Sequence, residues 1–400
     1  MLLERTWRWF GPNDTITLSD LKQMGVEGVV TSLNQFKPGE IWPADVINAT
    51  RKMIERNGLR WSVVESLPVS EDIKKGTSKA TEHIDNYIVS LHNLAKCGID
   101  RVCYNFMPVI DWVRTDLSYK DEDGTETMLY DPVTFAAFDL FILKRNNAEA
   151  DYTDALIHAA KNRYENMSES DRDQLAYNLI VVTQSFINSA VEDREDYINA
   201  FKTSLEEYRT IGEANFRNNF SHFISKIVPV AERLHIKMSI HPDDPPFPLL
   251  GLPRIASTIE DFQWIFSQAP SLSNGFAFCI GSLGARKEND LTLFLDRFAE
   301  RIHFAHLRNL KYLDEERFYE SGHIDGDLDL FGIIRGLLSE QSRRLAEGRE
   351  DFRIPFRPDH GKKMLDDFSR RTNPGYPLIG RLKGLSEISG IEHAILRNNS

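Results

Sequence analysis

The run Ile236-Lys237-Met238-Ser239-Ile240-His241, which stops at Pro242, decides the fold of this 400-residue chain. The run is short, largely apolar and ended by a proline, which is typical of a buried strand. Seven further runs of this kind recur along the sequence, and they cover residues 6–10, 28–33, 60–66, 101–107, 275–280, 302–308 and 353–361. The sequence therefore predicts a sheet of eight strands.

Stretches with a helical pattern separate most of these strands. They cover residues 19–23, 43–57, 82–96, 214–234 and 258–268. Alternating strands and helices predict a parallel sheet, and eight such units predict a closed (β/α)8 TIM barrel of the α/β class. We expect residues 1–400 to form this barrel as a single domain.

The segment of residues 115–213, between the fourth and fifth predicted strands, interrupts the alternation of strands and helices. It is charged, polar and largely helical in pattern, and residues 167–171 resemble the start of a helix. We therefore predict a helical insertion in one connection of the barrel. Such insertions commonly cover active sites or build subunit contacts, so this one is a candidate contact for a homo-oligomer.

The bulk composition excludes several classes of partner. A net charge of −12 repels phosphate backbones, so nucleic acid is not expected to bind. No apolar run approaches the roughly 18 residues of a membrane helix, and the N-terminus lacks the pattern of a signal peptide. The 3 cysteines suit a reducing compartment better than a disulfide framework, so we expect a cytoplasmic protein.

The predicted strand ends carry the residues that point to chemistry. Active-site side chains of such barrels come from the C-terminal ends of the strands, where they converge. The fifth to eighth predicted strands end at four potential metal ligands: His241, Cys279, His306 and Asp359. Each alone has an ordinary explanation, as a core residue or a helix cap. Their joint occurrence favours a divalent cation, and this donor set admits Zn²⁺, Fe²⁺, Co²⁺ or Mn²⁺.

Further polar side chains lie near the same mouth of the barrel. Because this mouth is open and polar, a catalytic ion is favoured over a purely structural one. Arginines there suit a carboxylate, although each could instead form a salt bridge in the barrel wall. His360 and the loop residue Tyr376 are candidates for proton transfer, the alternatives being a supporting hydrogen bond and a packing aromatic. The candidate substrate-binding residues are Asp111, Trp112, Arg114, Arg308 and Arg357.

Long motifs make the sequence similar to the D-mannonate dehydratase family over essentially its whole length. The motifs are Trp7-Arg8-Trp9-Phe10-Gly11-Pro12-Asn13-Asp14, Arg357-Pro358-Asp359-His360-Gly361, and residues 63–66, 103–108, 111–117, 240–246, 251–254 and 373–376. The resemblance implies a xylose-isomerase-like barrel that requires Mn²⁺ or Fe²⁺. It also implies a hydro-lyase that converts D-mannonate to 2-keto-3-deoxy-D-gluconate and water in hexuronate breakdown.

The resemblance also implies roles for individual residues. The metal ligands of the family carry over onto the four strand-end residues named above. Its acid and base groups carry over onto Asp359, His360 and Tyr376. Arg8 and Asn105, which lie within the matching motifs, join the expected substrate-binding residues.

The chain departs from the family pattern at four positions. Phe10 replaces a tyrosine, Asn34 lies near a usual histidine, Ser70 replaces a histidine and Ile280 replaces a threonine. All four lie at or just past predicted strand ends, so we expect an altered substrate shell around an intact cation site. Three hypotheses follow: a sugar-acid dehydratase, a metal-dependent isomerase or epimerase (or a dehydratase of another uronate or aldonate), and a non-catalytic sugar-acid-binding protein.

Overall fold

The computed structural model describes residues 1–183 and 194–398, and within them the chain forms twelve strands. They are β1 (Glu4–Arg8), β2 (Gly28–Thr31), β3 (Arg60–Glu65), β4 (Arg101–Tyr104), β5 (Asp116–Lys120), β6 (Glu126–Tyr130), β7 (Lys237–Ile240), β8 (Asn274–Cys279), β9 (Ile302–Leu307), β10 (Leu310–Tyr312), β11 (Phe318–Glu320) and β12 (Pro355–Pro358). Eight of them close into a barrel in the order β1-β12-β9-β8-β7-β4-β3-β2. Every neighbouring pair in the barrel is parallel, which confirms the predicted (β/α)8 fold.

Helices connect the strands and cover the outside of the barrel. The α-helices of the described chain are α1 (Leu18–Gln23), α2 (Ala44–Arg56), α3 (Glu71–Lys75), α4 (Ala80–Lys96), α5 (Pro132–Ala137), α6 (Asp154–Glu165), α7 (Glu169–Tyr177), α8 (Arg194–Arg209), α9 (Gly212–Arg233), α10 (Ile259–Gln268), α11 (Ile280–Leu283), α12 (Leu291–Phe298), α13 (Leu330–Ala346) and α14 (Leu378–Asn398). Each of the five predicted helices coincides with an observed helix. In the described part of the chain, none of the helices has the length and apolar character needed to cross a membrane.

The inside of the barrel is filled by apolar side chains, as expected for a strand buried on both faces. Val30, Val63, Cys103, Ala277 and Phe304, from five different barrel strands, form a buried cluster of their own. The ring of Phe304 lies 4.5 Å from that of His306, centroid to centroid. The cluster therefore forms an apolar floor beneath the strand ends. It shields a polar site at those ends from water on one side.

All eight predicted barrel strands end one or more residues beyond the observed strand ends, and the first and the eighth show why. The first was expected at residues 6–10 but is Glu4–Arg8, because the Phe10 amide donates to the Asp14 carboxylate, 2.9 Å away, and the chain turns out of the sheet. The eighth was expected at residues 353–361 but covers Pro355–Pro358. Prolines at both of its ends lack the N–H that a sheet requires, which limits its length.

The insertion begins differently from its prediction. Residues 115–213 were expected to be largely helical, but β5 and β6 form an antiparallel hairpin at its start. The turn closes through the Asp121 amide, which donates to Thr125 O at 2.9 Å, and it contains Gly124 at φ 80°. Asp-Gly between alternating residues is a hairpin signal that the prediction overlooked. The expected helix start near residue 168 is observed, with Ser168 capping α7; residues 184–193 lie outside the described chain.

The hairpin belongs to a second, four-stranded antiparallel sheet in the order β10-β11-β6-β5. Two backbone hydrogen bonds, of 3.0 and 2.7 Å, join Glu126 of this sheet to Lys363. Lys362 donates to Asp121 and Asp123 in the hairpin turn, at 2.8 Å each. Since Lys362 and Lys363 follow the end of β12, the sheet is fastened beside the mouth of the barrel.

Candidate active site and metal centre

Three of the expected metal ligands meet at the mouth of the barrel. Ligand atoms of His241, Cys279 and His306 all lie within 4.8 Å of one another. Oδ2 of Asp359 lies 3.7 Å from His306 Nδ1 and 3.8 Å from Cys279 Sγ. Four donors around a tetrahedral ion with bonds of 2.0–2.3 Å are about 3.3–3.8 Å apart, so the two Asp359 distances fit a cation shared with His306 and Cys279.

Hydrogen bonds outside the cluster orient the two imidazoles. Nδ1 of His241 lies 2.7 Å from Pro242 O, which accepts its proton, so Nε2 is the atom left to bind a metal ion. Nε2 of His306 lies 3.1 Å from the Glu65 carboxylate, which leaves Nδ1 as its donor atom. Those two remaining nitrogens, His241 Nε2 and His306 Nδ1, are 3.3 Å apart. Metal-binding histidines are typically held by a carbonyl or a carboxylate in this way.

The fully buried Cys279 side chain is set up as a thiolate. Burial alone would raise the pKa of the Cys279 thiol, but Arg308, His241 and His306 together hold it well below its ordinary value. The Ser282 hydroxyl donates to Sγ at 3.0 Å. Because a thiolate is the form that binds metal ions, the chemistry of this residue fits the cation site.

The Asp359 carboxylate is held between two buried guanidinium groups. Arg357 donates to its Oδ1, and Nε of Arg308 lies 3.2 Å from its Oδ2. Burial opposes ionisation, but Arg357, His360 and Arg308 hold the pKa of Asp359 well below its ordinary value. A carboxylate and a thiolate therefore stand side by side, and a cation between them would offset their mutual repulsion.

Metal affinity should depend on pH through His241. Burial lowers the pKa of His241, but the Cys279 thiolate more than offsets this and raises it to about 9. A metal ion binding near pH 7 must displace this proton, so affinity should rise about tenfold per pH unit and level off near pH 9. Co²⁺ titrations followed by thiolate-to-metal absorption test this. Affinity that stays flat between pH 7 and 9 would contradict the pairing, and Cys97→Ser, at a buried free thiol elsewhere, should behave as the wild type.

Glu65 at the end of β3 should govern how tightly the metal is held. It faces His306 and also ion-pairs with Arg357 Nε at 3.2 Å. We expect Glu65→Gln to weaken metal binding about 10- to 100-fold, as is usual when a carboxylate behind a metal-binding histidine is lost. Metal content after dialysis against a graded chelator measures this. An unchanged affinity would mean that Glu65 does not orient His306.

The two candidates for proton transfer are neighbours. The rings of His360 and Tyr376 meet edge to face, with centroids 5.1 Å apart. Arg357 Nη1 donates to the Tyr376 oxygen at 3.4 Å, which leaves the phenol hydrogen free to point elsewhere. Burial raises the pKa of Tyr376, although Arg357 opposes this, so the phenol is protonated near neutral pH. Tyr376 is thus equipped as a proton donor.

Three of the four candidate arginines, Arg114, Arg308 and Arg357, lie in buried ion pairs. Arg114 donates to Asp244 at 2.8 Å and to Glu320 at 2.7 Å. Arg308 donates to the same two carboxylates, and its bond to Glu320 measures 2.7 Å. Arg114 and Arg308 are at most 1% exposed. These contacts favour the salt-bridge alternative for both residues, and a role in binding the substrate stays a prediction.

The other expected substrate-binding residues lie where the site is open. Arg8, Asn105, Asp111 and Trp112 are each partly exposed. The Asn105 amide donates to Asp111 at 3.2 Å, and the Trp112 ring lies 5.9 Å from that of His360. Arg8 donates to the Glu65 carbonyl and lies over the Phe10 ring. They form the accessible rim of the site, in contrast to the buried arginines.

The four departures from the family pattern do not share one environment. Phe10 packs edge to face on Tyr376, with ring centroids 5.0 Å apart, so it touches a candidate catalytic side chain. Asn34 is exposed. Ser70 is 3% exposed and bonded to His83 Nδ1, while Ile280 is 0% exposed. Ser70 and Ile280 are enclosed by protein, as most of the expected metal donors are, and the expectation that all four positions face the substrate stays a prediction.

Three acidic residues of the site were missed by the sequence analysis. Glu65 ends β3 and Asp244 follows three residues after His241, so position in the strand pattern could have indicated both. Glu320 comes from β11 in the second sheet and meets His360 Nδ1 at 3.0 Å. Burial opposes ionisation, yet Arg308, His360 and Arg114 lower the pKa of Glu320 to about 2. Nothing in the sequence around Glu320 indicates this position, because the β10–β11 hairpin was not predicted.

The structure is a barrel with clustered histidine, cysteine and carboxylate donors at its mouth and a tyrosine and a histidine beside them. This combination defines a metal-binding (β/α)8-barrel enzyme. Residues 3–400 match the family model D-mannonate dehydratase (UxuA). The chain belongs to the D-mannonate dehydratase family, whose members are hydro-lyases. The resemblance found in the sequence motifs is thereby confirmed.

Individual relatives agree with this assignment. A mannonate dehydratase of Chromohalobacter salexigens is 48% identical over 396 residues, which span 98% of this chain and 99% of that protein. One from Marinomonas sp. is 46% identical over 392 residues and 98% of both chains. The crystal structure of a mannonate dehydratase from Streptococcus suis serotype 2 is 29% identical and has a TM-score of 0.76, covering 100% of this chain and 95% of that one.

Proposed function

We propose that this protein converts D-mannonate to 2-keto-3-deoxy-D-gluconate and water. The observation that carries the proposal is the cluster of His241, Cys279 and His306, with Asp359 next to two of them, beside Tyr376 and His360 at one barrel mouth. Membership of the family and the mannonate dehydratases that are 46% and 48% identical support the choice of substrate.

His241, Cys279, His306 and Asp359 would hold the divalent ion, which we propose to be Mn²⁺ or Fe²⁺. Bound there, it would supply Lewis acidity that makes the proton next to a carboxylate easier to remove. Co²⁺ and Zn²⁺ are compatible with the same donors. Arg357 and Arg308 keep Asp359 ionised, and Glu65 and the Pro242 carbonyl fix the imidazoles, so the chain itself prepares the donor set.

Dehydration requires one proton to be removed and another to be delivered. His360 accepts the proton at C2 of the aldonate, and the electrons of that C–H bond expel the hydroxyl of C3. The Tyr376 phenol, protonated because burial raises its pKa, donates to this hydroxyl, which leaves as water. The resulting enol takes a proton from His360 at C3 and gives its hydroxyl proton to the Tyr376 oxygen, which yields the 2-keto acid and restores both groups. Edge-to-face contact places the two groups close enough to serve adjacent carbons.

We further propose that the partly exposed residues bind the sugar acid. Arg8 offers a guanidinium near the open side of the site, and Asn105 and Asp111 offer polar atoms for hydroxyl groups. Trp112 would cover one face of the chain of carbons. Arg357, in contact with Asp359 and Tyr376, would keep both groups in place.

A screen of aldonates and uronates with Mn²⁺, Fe²⁺, Co²⁺ and Zn²⁺ tests the proposal. We expect D-mannonate to yield a 2-keto-3-deoxy acid. Solvent proton exchange without loss of water would instead support an isomerase or epimerase. Ligand-induced thermal stabilisation without any product would support a non-catalytic sugar-acid-binding protein. Absence of turnover on every aldonate would reject the dehydratase.

We propose that residues 1–400 form one barrel domain, because apolar residues of the insertion such as Phe138 and Leu179 join the main core cluster.

The buried free thiols Cys97, Cys103 and Cys279 support a cytoplasmic location, as a reducing environment preserves them. A homo-oligomer through residues 115–213 stays a proposal, which light scattering of the purified protein tests.

A further inference from the structure

Glu320 occupies an unusual position, because it approaches the active site from outside the barrel. It lies at the end of β11 in the antiparallel sheet and is 3% exposed. Its Oε1 accepts hydrogen bonds from Arg114 and Arg308, at 2.7 Å each, and lies 3.0 Å from His360 Nδ1. One carboxylate oxygen thus joins two guanidinium groups to a candidate catalytic imidazole.

Nδ1 of His360 faces two hydrogen-bond partners, one of which can only accept a proton and the other only donate one. The Glu320 carboxylate can only accept a proton from Nδ1, whereas Arg308 Nη1, which also contacts Nδ1, can only donate one. The charge at position 320 therefore decides which tautomer His360 adopts. An ionised carboxylate favours a hydrogen on Nδ1, which leaves the lone pair to Nε2, the nitrogen that lies 4.0 Å from Asp359 Oδ1.

We propose that Glu320 is a positioning residue that keeps the hydrogen of His360 on Nδ1 and so leaves Nε2 to accept the substrate proton. The inference rests on the proposed dehydratase function for its consequence in catalysis, but the tautomer itself does not depend on any substrate. It also gives the antiparallel sheet a chemical role, since the sheet carries Glu320 to the barrel mouth. The Lys362 and Lys363 contacts that fasten the sheet hold this carboxylate in place.

Two variants and a matched control test the inference. Glu320→Gln keeps the shape of the side chain and removes its charge, while Glu320→Asp keeps the charge on a shorter side chain. Glu340 on α13 is also a buried carboxylate, 5% exposed and paired with Arg343 and Arg344, but it lies on the outer helical layer. Glu340→Gln therefore reproduces the loss of a buried, arginine-paired charge away from the site.

The first measurement is the tautomer of His360, from ¹⁵N-histidine NMR of the Zn²⁺-loaded protein, with the signal assigned through His360→Gln. We expect Nδ1–H in the wild type, in Glu320→Asp and in Glu340→Gln, and a shift towards Nε2–H in Glu320→Gln. An Nε2–H tautomer in the wild type would overturn the inference, as would an unchanged tautomer in Glu320→Gln. If Glu320→Gln does not fold, the wild type and Glu320→Asp still decide the question.

The second measurement is turnover of D-mannonate by the metal-loaded variants. Glu320→Gln should lower kcat about 10- to 100-fold with KM within about twofold, the scale expected for an outer hydrogen-bond partner. Glu320→Asp should retain more activity, and Glu340→Gln should match the wild type. Equal kcat in Glu320→Gln and the wild type would overturn the catalytic consequence. An inactive wild type would reject the proposed function instead, while the NMR result still tests the tautomer.

Discussion

Replacing Cys279 by alanine should remove most of the metal and lower activity more than about 1000-fold. This loss exceeds the roughly 10- to 100-fold effect of changing a residue that only hydrogen-bonds to a metal ligand. The thiolate is 0% exposed and lies between His241, His306 and Asp359. Its loss removes a donor, and it also removes the negative charge that holds the proton on His241. Metal content by mass spectrometry and turnover of D-mannonate check both effects.

Cys103→Ala is the matched control for this experiment. Cys103 is a buried free thiol in the apolar floor of the barrel, and burial raises its pKa, so it is a neutral packing group. We expect some loss of stability, with metal content and kcat close to those of the wild type. A Cys279→Ala protein that keeps stoichiometric metal and near-normal kcat would show that the thiolate is not a ligand, and the proposed site would have to be abandoned.

Replacing Tyr376 by phenylalanine should lower kcat about 100- to 10,000-fold, the range for loss of a positioned general acid. The ring would keep its contacts with His360 and Phe10, so the change removes the hydroxyl and little else. KM and metal content should change little, because the phenol lies next to Arg357 and not within the donor cluster. Steady-state kinetics at saturating Mn²⁺ separate kcat from KM.

Tyr208→Phe provides the comparison for Tyr376→Phe. Tyr208 lies on α8, 2% exposed, and its hydroxyl donates to Glu71 at 2.7 Å. It belongs neither to the donor cluster nor to the second sheet, so kcat should stay within about twofold of the wild type. If Tyr376→Phe retained kcat to the same degree, another group would have to protonate the leaving hydroxyl.

The four departures from the family pattern differ in how closely they approach His360 and Tyr376, the two groups proposed to transfer protons. Phe10 packs on Tyr376 and is the departure most directly coupled to the chemistry. Ser70 instead caps α3 and bonds His83, and Ile280 is enclosed by protein. A side chain near a strand end can point into the mouth or into the wall of the barrel. Sequence position alone does not distinguish these cases, because the direction depends on the local backbone after the strand.

The local pattern of the chain determined the barrel and most of its chemistry. Apolar runs alternating with helical stretches fix the strand order, because a parallel strand needs a crossover before the next one. Parallel strands in turn bring their C-terminal ends to one mouth, so His241, Cys279, His306 and Asp359 could be placed together from sequence. The motif resemblance then identified the family, which the whole-chain match confirms.

Only the tertiary structure decided what surrounds those residues. Glu320 comes from a hairpin outside the barrel repeat, and Arg114 and Arg308 turn inward to pair with it and with Asp244. Such contacts join segments that are 12 to 206 residues apart, and no periodicity relates them. The proton positions, the charges of the carboxylates and the direction of each arginine depend on these long-range contacts, since electrostatics in a buried site follow distance in space and not order in the chain.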